Sequence, residues 1–217
     1  MGKIRCLTRD DYYLLVRSAD LYGNPQPGSS MKCLMGVPLQ LAWNQARDVV
    51  ILSLLGEAGL RLSELHRLEW YDLYHRDQMR HVIQIARSKY EEKYRDVPLT
   101  RLCIDAISRY KAHEYQMFGA VDEHTKICRV YKSGRHMSRR AIQKLVQRIG
   151  ELALGRRIWP HMLRHTYATR LIRTTDIRTV QNLLGHSRLD TTAIYTHPGI
   201  VEAVAGAASL GSSEGMA

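Results

Sequence analysis

The chain is poor in cysteine, and none of its cysteines is placed to hold a metal. Cys6, Cys33, Cys103 and Cys128 include no Cys-x-x-Cys pair, and their gaps fit no zinc-ligand spacing. Packed, reduced thiols are the simplest account and suit a cytoplasmic protein. No N-terminal stretch has the charged, apolar and small-residue order of a signal peptide. The longest apolar run, between Val49 and Leu55, is far too short to cross a bilayer. A soluble, cytoplasmic chain with no membrane partner is therefore expected. Internal repeats and low-complexity blocks are also absent, and nothing in the bulk composition suggests disorder. Acidic residues are the other shortage: 21 Asp and Glu stand against 32 Lys and Arg, a formal net charge of +11. A balance so basic points to a polyanion as partner, because Lys and Arg neutralise phosphates and release counterions.

What is present is enough apolar sequence for a core. With 217 residues and 45% hydrophobic content, the chain can form one domain or one domain with a short extension. Thr8, with Asp11 three residues on, marks a helix start, and the helix runs to about Asp20. Residues 22–38 carry Gly23, Pro25, Pro27 and Gly28 and read as a long loop. Pro38 suits the first turn of a helix over 39–58, apolar on Val49, Val50, Leu52 and Leu55. Gly59 ends that helix, and another begins near Arg61. Residues 80–86 and 95–99 alternate as strands, joined by a charged hairpin turn. Residues 100–118 form a helix with Ile104, Ile107 and either Tyr110 or Lys111 toward the core. Residues 126–131 are a candidate third strand. Ser138 caps a helix to about Leu152. Further helices are expected over 161–173, 176–184 and 191–195, and the tail from Ile200 offers a last short helix before a flexible end at Gly211, Ser212, Ser213 and Gly215.

Three segments carry chemistry. The first is Gly59-Leu60-Arg61-Leu62-Ser63-Glu64-Leu65, where a glycine permits a sharp turn and an arginine opens a helix. The second is Pro160-His161-Met162-Leu163-Arg164-His165, which puts His161, Arg164 and His165 on one helix face. The third is Leu184-Gly185-His186-Ser187, with Tyr195 nine residues after the histidine. Singly, each has a plain reading: a surface arginine, a helix stop, a half-buried aromatic. His161 and His165 have metal-ligand spacing, but Arg164 between them would set a cation against the metal. Together the residues fit one task. Breaking a phosphodiester without a metal needs a nucleophile, a proton donor for the leaving alkoxide, and cations on the non-bridging oxygens. Two arginines suit the last role because guanidinium stays charged and binds phosphate with two parallel bonds. Histidine moves protons near neutral pH. Tyrosine needs a base and cationic surroundings to attack.

From about Arg47 to His197 the chain resembles the tyrosine recombinase family, the phage-integrase-like recombinases. The family's first arginine box is similar to residues 59–65 here. Its His-x-x-Arg-His box matches His161 to His165, and its Leu-Gly-His box and downstream tyrosine match Leu184 to His186 and Tyr195. Four boxes in this order are highly specific. The resemblance implies a mainly α-helical α+β fold, a tyrosine-recombinase-like catalytic domain with a small three-stranded antiparallel sheet. Residues 1–38 would be an N-terminal helix and loop that pack on the catalytic domain or lead into it. That domain would occupy 39–198, and 199–217 would be a tail available for exchange between protomers.

The resemblance also implies roles. Arg61 and Arg164 would clamp the scissile phosphate, and His186 would hydrogen-bond it. His161 would accept the tyrosine proton or bind the phosphate. Tyr195 would attack, leaving a 3′-phosphotyrosine and a free 5′-hydroxyl. His165 would position its helix, and Glu64 would orient a catalytic side chain from behind. The family's acid is a lysine on a turn between strands. Counting back from Val97-Pro98-Leu99 lands near Lys89, with Lys93 the alternative, since the family's Gly-Lys-Gly is missing here. No cofactor or metal is implied. The implied partners are double-stranded DNA, three further copies of the chain in a tetramer on two sites, and accessory DNA-bending proteins, all on DNA in a prokaryotic cytoplasm. Many relatives also carry an N-terminal domain of about a hundred residues. The stretch ahead of the match, about 40 residues, is too short for one. Two expectations stay open: a compact stand-alone recombinase, or one part of a larger arrangement. A type IB topoisomerase would use similar residues, but the Leu-Gly-His box and the short spacing to Tyr195 favour the recombinase. A DNA-binding relative without cleavage is disfavoured by the full set of residues.

Overall fold

The computed structural model describes residues 6–21, 39–75, 78–86, 94–131, 133–175 and 177–184. The chain divides into two compact units, residues 1–167 and residues 168–217. Helix α1 is Arg9–Leu21 and α2 is Leu39–Gly56. The short helices α3, Leu62–Arg67, and α4, Trp70–Leu73, follow. Strands β1, Tyr74–His75, and β2, Gln78–Met79, precede β3, Val82–Ala86, and β4, Tyr94–Pro98. Helices α5, Arg101–Phe118, and α6, Arg139–Leu154, lie in the first unit, and α7, Pro160–Ile172, begins in the first unit and ends in the second. The second unit then holds α8, Ile177–Leu184.

Helix α2 is central to the first unit because its second half, from Val49 to Leu55, is apolar on nearly every side. Trp43, Val50, Ile51, Leu52, Leu54 and Leu55 are all buried. An all-round apolar helix has no solvent face to offer, so neighbours must cover it. Helices α1 and α5 do so. Helix α1 starts where Thr8 and Asp11 cap one another: the Asp11 N–H donates to Thr8 Oγ1 at 3.0 Å and the Thr8 N–H to Asp11 Oδ2 at 3.2 Å. Tyr12, Leu15 and Ala19, three and four residues apart, then face inward. Helix α5 is capped by Thr100, whose side chain accepts the Cys103 N–H at 3.3 Å. Its buried face is Cys103, Ala106, Ile107, Tyr110 and Glu114. Ile107 and Tyr110 agree with expectation, whereas Ile104 and Lys111 are only partly buried. The small Cys103 and Ala106 occupy that inner line instead, and the Cys103 thiol donates to Ser53 O of α2 at 3.4 Å. Helix α6 is capped by Ser138, which accepts the Ala141 N–H at 3.1 Å, and ends at Gly155 in a left-handed conformation, φ 63°.

The expected three-stranded sheet is not what the described residues form. They hold two separate antiparallel pairs, β1 with β2 and β3 with β4. In the second pair Val82 faces Pro98 and Ala86 faces Tyr94. The segment over 126–131 joins neither pair. Its backbone is satisfied elsewhere: the Ile127 N–H donates to Leu68 O at 3.1 Å, and the Met137 N–H to Cys128 O at 2.7 Å. Only isolated bridges, Glu69 to Lys126 and Arg129 to His136, mark it as extended. These donors and acceptors are thus taken locally and do not build a third strand. Helix α4 and strands β1 and β2 were not expected, since two to four residues carry no readable period. No helix among the described residues is long and apolar enough to cross a membrane.

Candidate active site

The site begins at the turn that leaves α2. The Glu57 N–H still bonds to Ser53 O at 2.7 Å, and the Leu60 N–H reaches back to Leu54 O at 3.1 Å. Between them Gly59 sits at φ +63°. Glycine enters this left-handed region without steric cost, where a Cβ would crowd its own carbonyl. Space demands it too: a Cβ there would lie 2.3 Å from Cδ1 of Tyr167. Helix α7 therefore passes hard against the turn. Arg61 follows in an extended conformation as the residue that opens α3.

Glu64, one turn into α3, collects what this geometry brings together. Its Oε2 accepts the Arg61 backbone N–H at 2.6 Å, and its Oε1 accepts Arg61 Nη1 at 2.8 Å. Arg95, from β4, donates Nη1 to Oε1 at 2.7 Å and Nη2 to Oε2 at 2.8 Å. Arg164, from α7, places Nη1 3.9 Å from Oε2 and also donates it to the Gly59 carbonyl. Burial pushes the Glu64 carboxyl up. The Arg95 bonds and charge, with the Arg61 amide and guanidinium, outweigh that and hold it at about 2. Glu64 is thus an anion throughout the physiological range. Within this group three guanidiniums meet one carboxylate. Arg61 is its outward member, with a side chain 37% exposed, against 10% for Arg164. Such an arrangement suits an oxyanion with oxygens for two forks.

Helix α7 opens at Pro160, where a missing N–H costs nothing. His161 is exposed and precedes Arg164 by three residues, on the same helix face. His165 is half-buried, and its Nδ1 lies 3.2 Å from Cys6 Sγ. Burial lowers the His165 imidazole from its ordinary value; a backbone hydrogen bond opposes this, and nearby His161 adds to it. Next along the helix, Thr166 Oγ1 accepts the Leu7 N–H at 2.9 Å and donates to Met162 O at 2.9 Å. The segment ahead of α1 is pinned to α7 in this way.

Of the residues expected at the site, Arg61, Glu64 and Arg164 come together, and His161 and His165 share their helix with Arg164. Lys89, Lys93, His186 and Tyr195 lie outside the described residues; α8 ends at Leu184, two positions before His186. Arg95 was missed. Its signal was available: Arg95, Val97 and Leu99 share the phase of an alternating strand, which puts a charge on the apolar side. Among the described residues no three His, Cys, Asp or Glu side chains group as metal ligands would.

A buried carboxylate thus gathers arginines from the turn before α3, from β4 and from α7 on a mainly helical frame. The chain belongs to the phage integrase family, whose model matches residues 30–199. Among curated relatives, tyrosine recombinase XerC of Pseudomonas entomophila (strain L48) is 37% identical over 152 residues, 70% of this chain and 48% of that protein. Tyrosine recombinase XerC of Neisseria meningitidis serogroup B is 38% identical over 152 residues, 69% of this chain and 47% of that protein. The chain spans about half the length of the curated relatives it matches. Among solved structures, XerH site-specific recombinase bound to palindromic difH substrate in a post-cleavage complex superposes with a TM-score of 0.67 at 25% identity. That match covers 94% of this chain and 53% of XerH. XerA recombinase shares the fold, with a TM-score of 0.66 at 24% identity over 89% of this chain and 58% of that one.

Proposed function

We propose that this chain carries the strand-cutting and rejoining chemistry of a tyrosine site-specific DNA recombinase, acting on double-stranded DNA. The observation that carries the reading is the meeting of Arg61 and Arg164 at Glu64, two cations from separate elements held ready for one anion. The relatives' names point the same way, as recombinases, and XerH is a recombinase solved on a DNA substrate.

In this reading Arg61 and Arg164 grip the non-bridging oxygens of one phosphate, and their fixed charge stabilises the crowded phosphorane. Tyr195 Oη forms a bond to phosphorus while the bond from phosphorus to the 5′-oxygen breaks. The tyrosine proton passes to His161 or to water, and a lysine, Lys89 or else Lys93, protonates the departing 5′-oxygen. His186 donates a hydrogen bond to the phosphate. The phosphotyrosine keeps the energy of the broken bond, so a 5′-hydroxyl of a partner strand can displace Tyr195 without ATP. Residues 39–198 form the catalytic domain, 1–38 pack on it or lead into it, and 199–217 are exchanged between protomers of a tetramer on two sites.

A library of nicked duplexes with randomised arms, supplemented with a dif-type palindrome, tests the reading. The nick lets a short fragment escape after attack and traps the covalent product. A protein–DNA adduct surviving denaturing electrophoresis, and missing in Tyr195→Phe, is expected. No adduct from any duplex, or one that persists in Tyr195→Phe, would sink it.

A further inference from the structure

Arg95 is the second residue of β4 and only 3% exposed. Burying a guanidinium costs several kcal/mol unless geometry returns it, on the order of the loss for any buried ion. Here the return is a fork on a fork, two parallel bonds at 2.7 and 2.8 Å to the two oxygens of Glu64. Its backbone is fixed as well, because Arg95 pairs with Ile85 in the β3–β4 ladder. The side chain is therefore held at its base by the sheet and at its tip by the carboxylate. A group so enclosed is poorly placed to touch a phosphate that approaches Arg61 from solvent. It is well placed to decide where Glu64 points.

We propose that Arg95 is a positioning residue for DNA cleavage: through Glu64 it sets the placement of Arg61 and Arg164. The proposal rests on the recombinase reading above. The charged groups facing Glu64 are Arg61 from the turn before α3, Arg95 from β4 and Arg164 from α7. Without Arg95 the buried carboxyl keeps its burial but loses its main counter-charge, so it protonates at higher pH than before. A protonated Glu64 gives up the charge that holds Arg61 and draws Arg164, which keeps its bond to the Gly59 carbonyl. Cleavage should then fail on acidification, which a simple loss of stability would not reproduce after correction for folded protein.

The test uses nicked duplexes that the unchanged chain captures covalently, in single-turnover assays with Arg95→Met, Arg95→Lys and the double variant Arg95→Met/Glu64→Gln. Arg95→Met should form adduct about 100-fold more slowly, the scale of a small misplacement at a reacting centre. Its Kd for the same duplex should stay within about threefold, because affinity lies mainly in the phosphate contacts it does not make. Its rate relative to the unchanged chain should fall further as pH is lowered, because the buried carboxyl, with Arg95 gone, takes up a proton at higher pH than before. Taken as the ratio to the unchanged chain at each pH, which cancels the histidine titrations common to all the chains, that acid limb should be missing in the double variant. Arg95→Lys keeps the charge but not the fork, so it should lack the limb yet remain roughly tenfold slow. An Arg95→Met rate equal to that of the unchanged chain would overturn the proposal, as would a rate loss with no acid limb. If Arg95→Met does not fold, folded Arg95→Lys decides: slow cleavage at unchanged Kd supports the proposal, and full-rate cleavage rejects it. Adduct from the unchanged chain and from all variants alike removes this inference alone, whereas no adduct from the unchanged chain removes the recombinase reading itself.

Discussion

A carboxylate that holds three arginines titrates far from where burial alone would put it. Glu64 ordinarily would ionise near 4.5; in the folded chain it does so at about 2, with burial opposing and Arg95 and Arg61 prevailing. A folded-state value below the unfolded one means stability that is present above about pH 4.5 and lost as pH falls toward about 2. Glu64→Gln should therefore lose about 3 kcal/mol of unfolding free energy at neutral pH, and the gap to the unchanged chain should close below pH 4. Urea unfolding of both chains at stepped pH measures this. A gap that stays constant down to pH 3 would mean the ion pairs contribute nothing net. Sequence reasoning found Glu64 because it lies one helical turn from Arg61. It did not find Arg95, because the partner is 31 residues away on a strand and only the fold joins them. The buried phase of the strand was the available clue, and the charge made it easy to discount.

At the scale of elements, what was legible was local chemistry. Thr8, Thr100 and Ser138 all open helices, since a cap needs only its own next three residues. The strand expected over 126–131 failed because alternation says nothing about which groups accept its hydrogen bonds; Leu68 and the stretch before α6 took them first. Gly59 shows how one turn serves two elements. It ends the run of α2 at φ +63° and leaves room for the Tyr167 ring of α7. Gly59→Ala should cost about 1–2 kcal/mol for the left-handed backbone and a similar amount for the clash, roughly 3 in all. In a chain of this size that lowers Tm by roughly 6–12 °C. A melt followed by circular dichroism gives the number. Adding Tyr167→Ala to Gly59→Ala should remove the clash part of the penalty and leave the backbone part. If the two substitutions were simply additive, the close approach of ring and turn would have no energetic weight.

The whole molecule adds the long-range field. A net charge of +11 draws any polyanion, so basic composition by itself cannot say where DNA lies. The four sequence boxes were legible because each rests on residue type and spacing. Their meeting was not, since Gly59 to Leu65 and Pro160 to His165 are a hundred residues apart and are joined by Arg164 at Glu64 and Gly59. Lys89, Lys93, His186 and Tyr195 lie outside the described residues, so for them the expectation stands as it was drawn. Field and contact can be separated by two substitutions of equal charge. Arg61 is part-exposed beside Glu64, whereas Arg101 sits on the solvent side of α5 with its guanidinium 3.0 Å from Asp105. In a Tyr195→Phe background, which prevents cutting, duplex affinity should fall steeply with salt, because each neutralised phosphate releases counterions. Arg61→Gln should reduce the slope of log K against log salt by about one, the loss of a single phosphate contact. Arg101→Gln, which removes the same charge, should leave the slope unchanged. Fluorescence anisotropy titrations across a salt series read both slopes. Equal reductions would mean that the duplex senses only the net charge of the molecule and that Arg61 holds no phosphate.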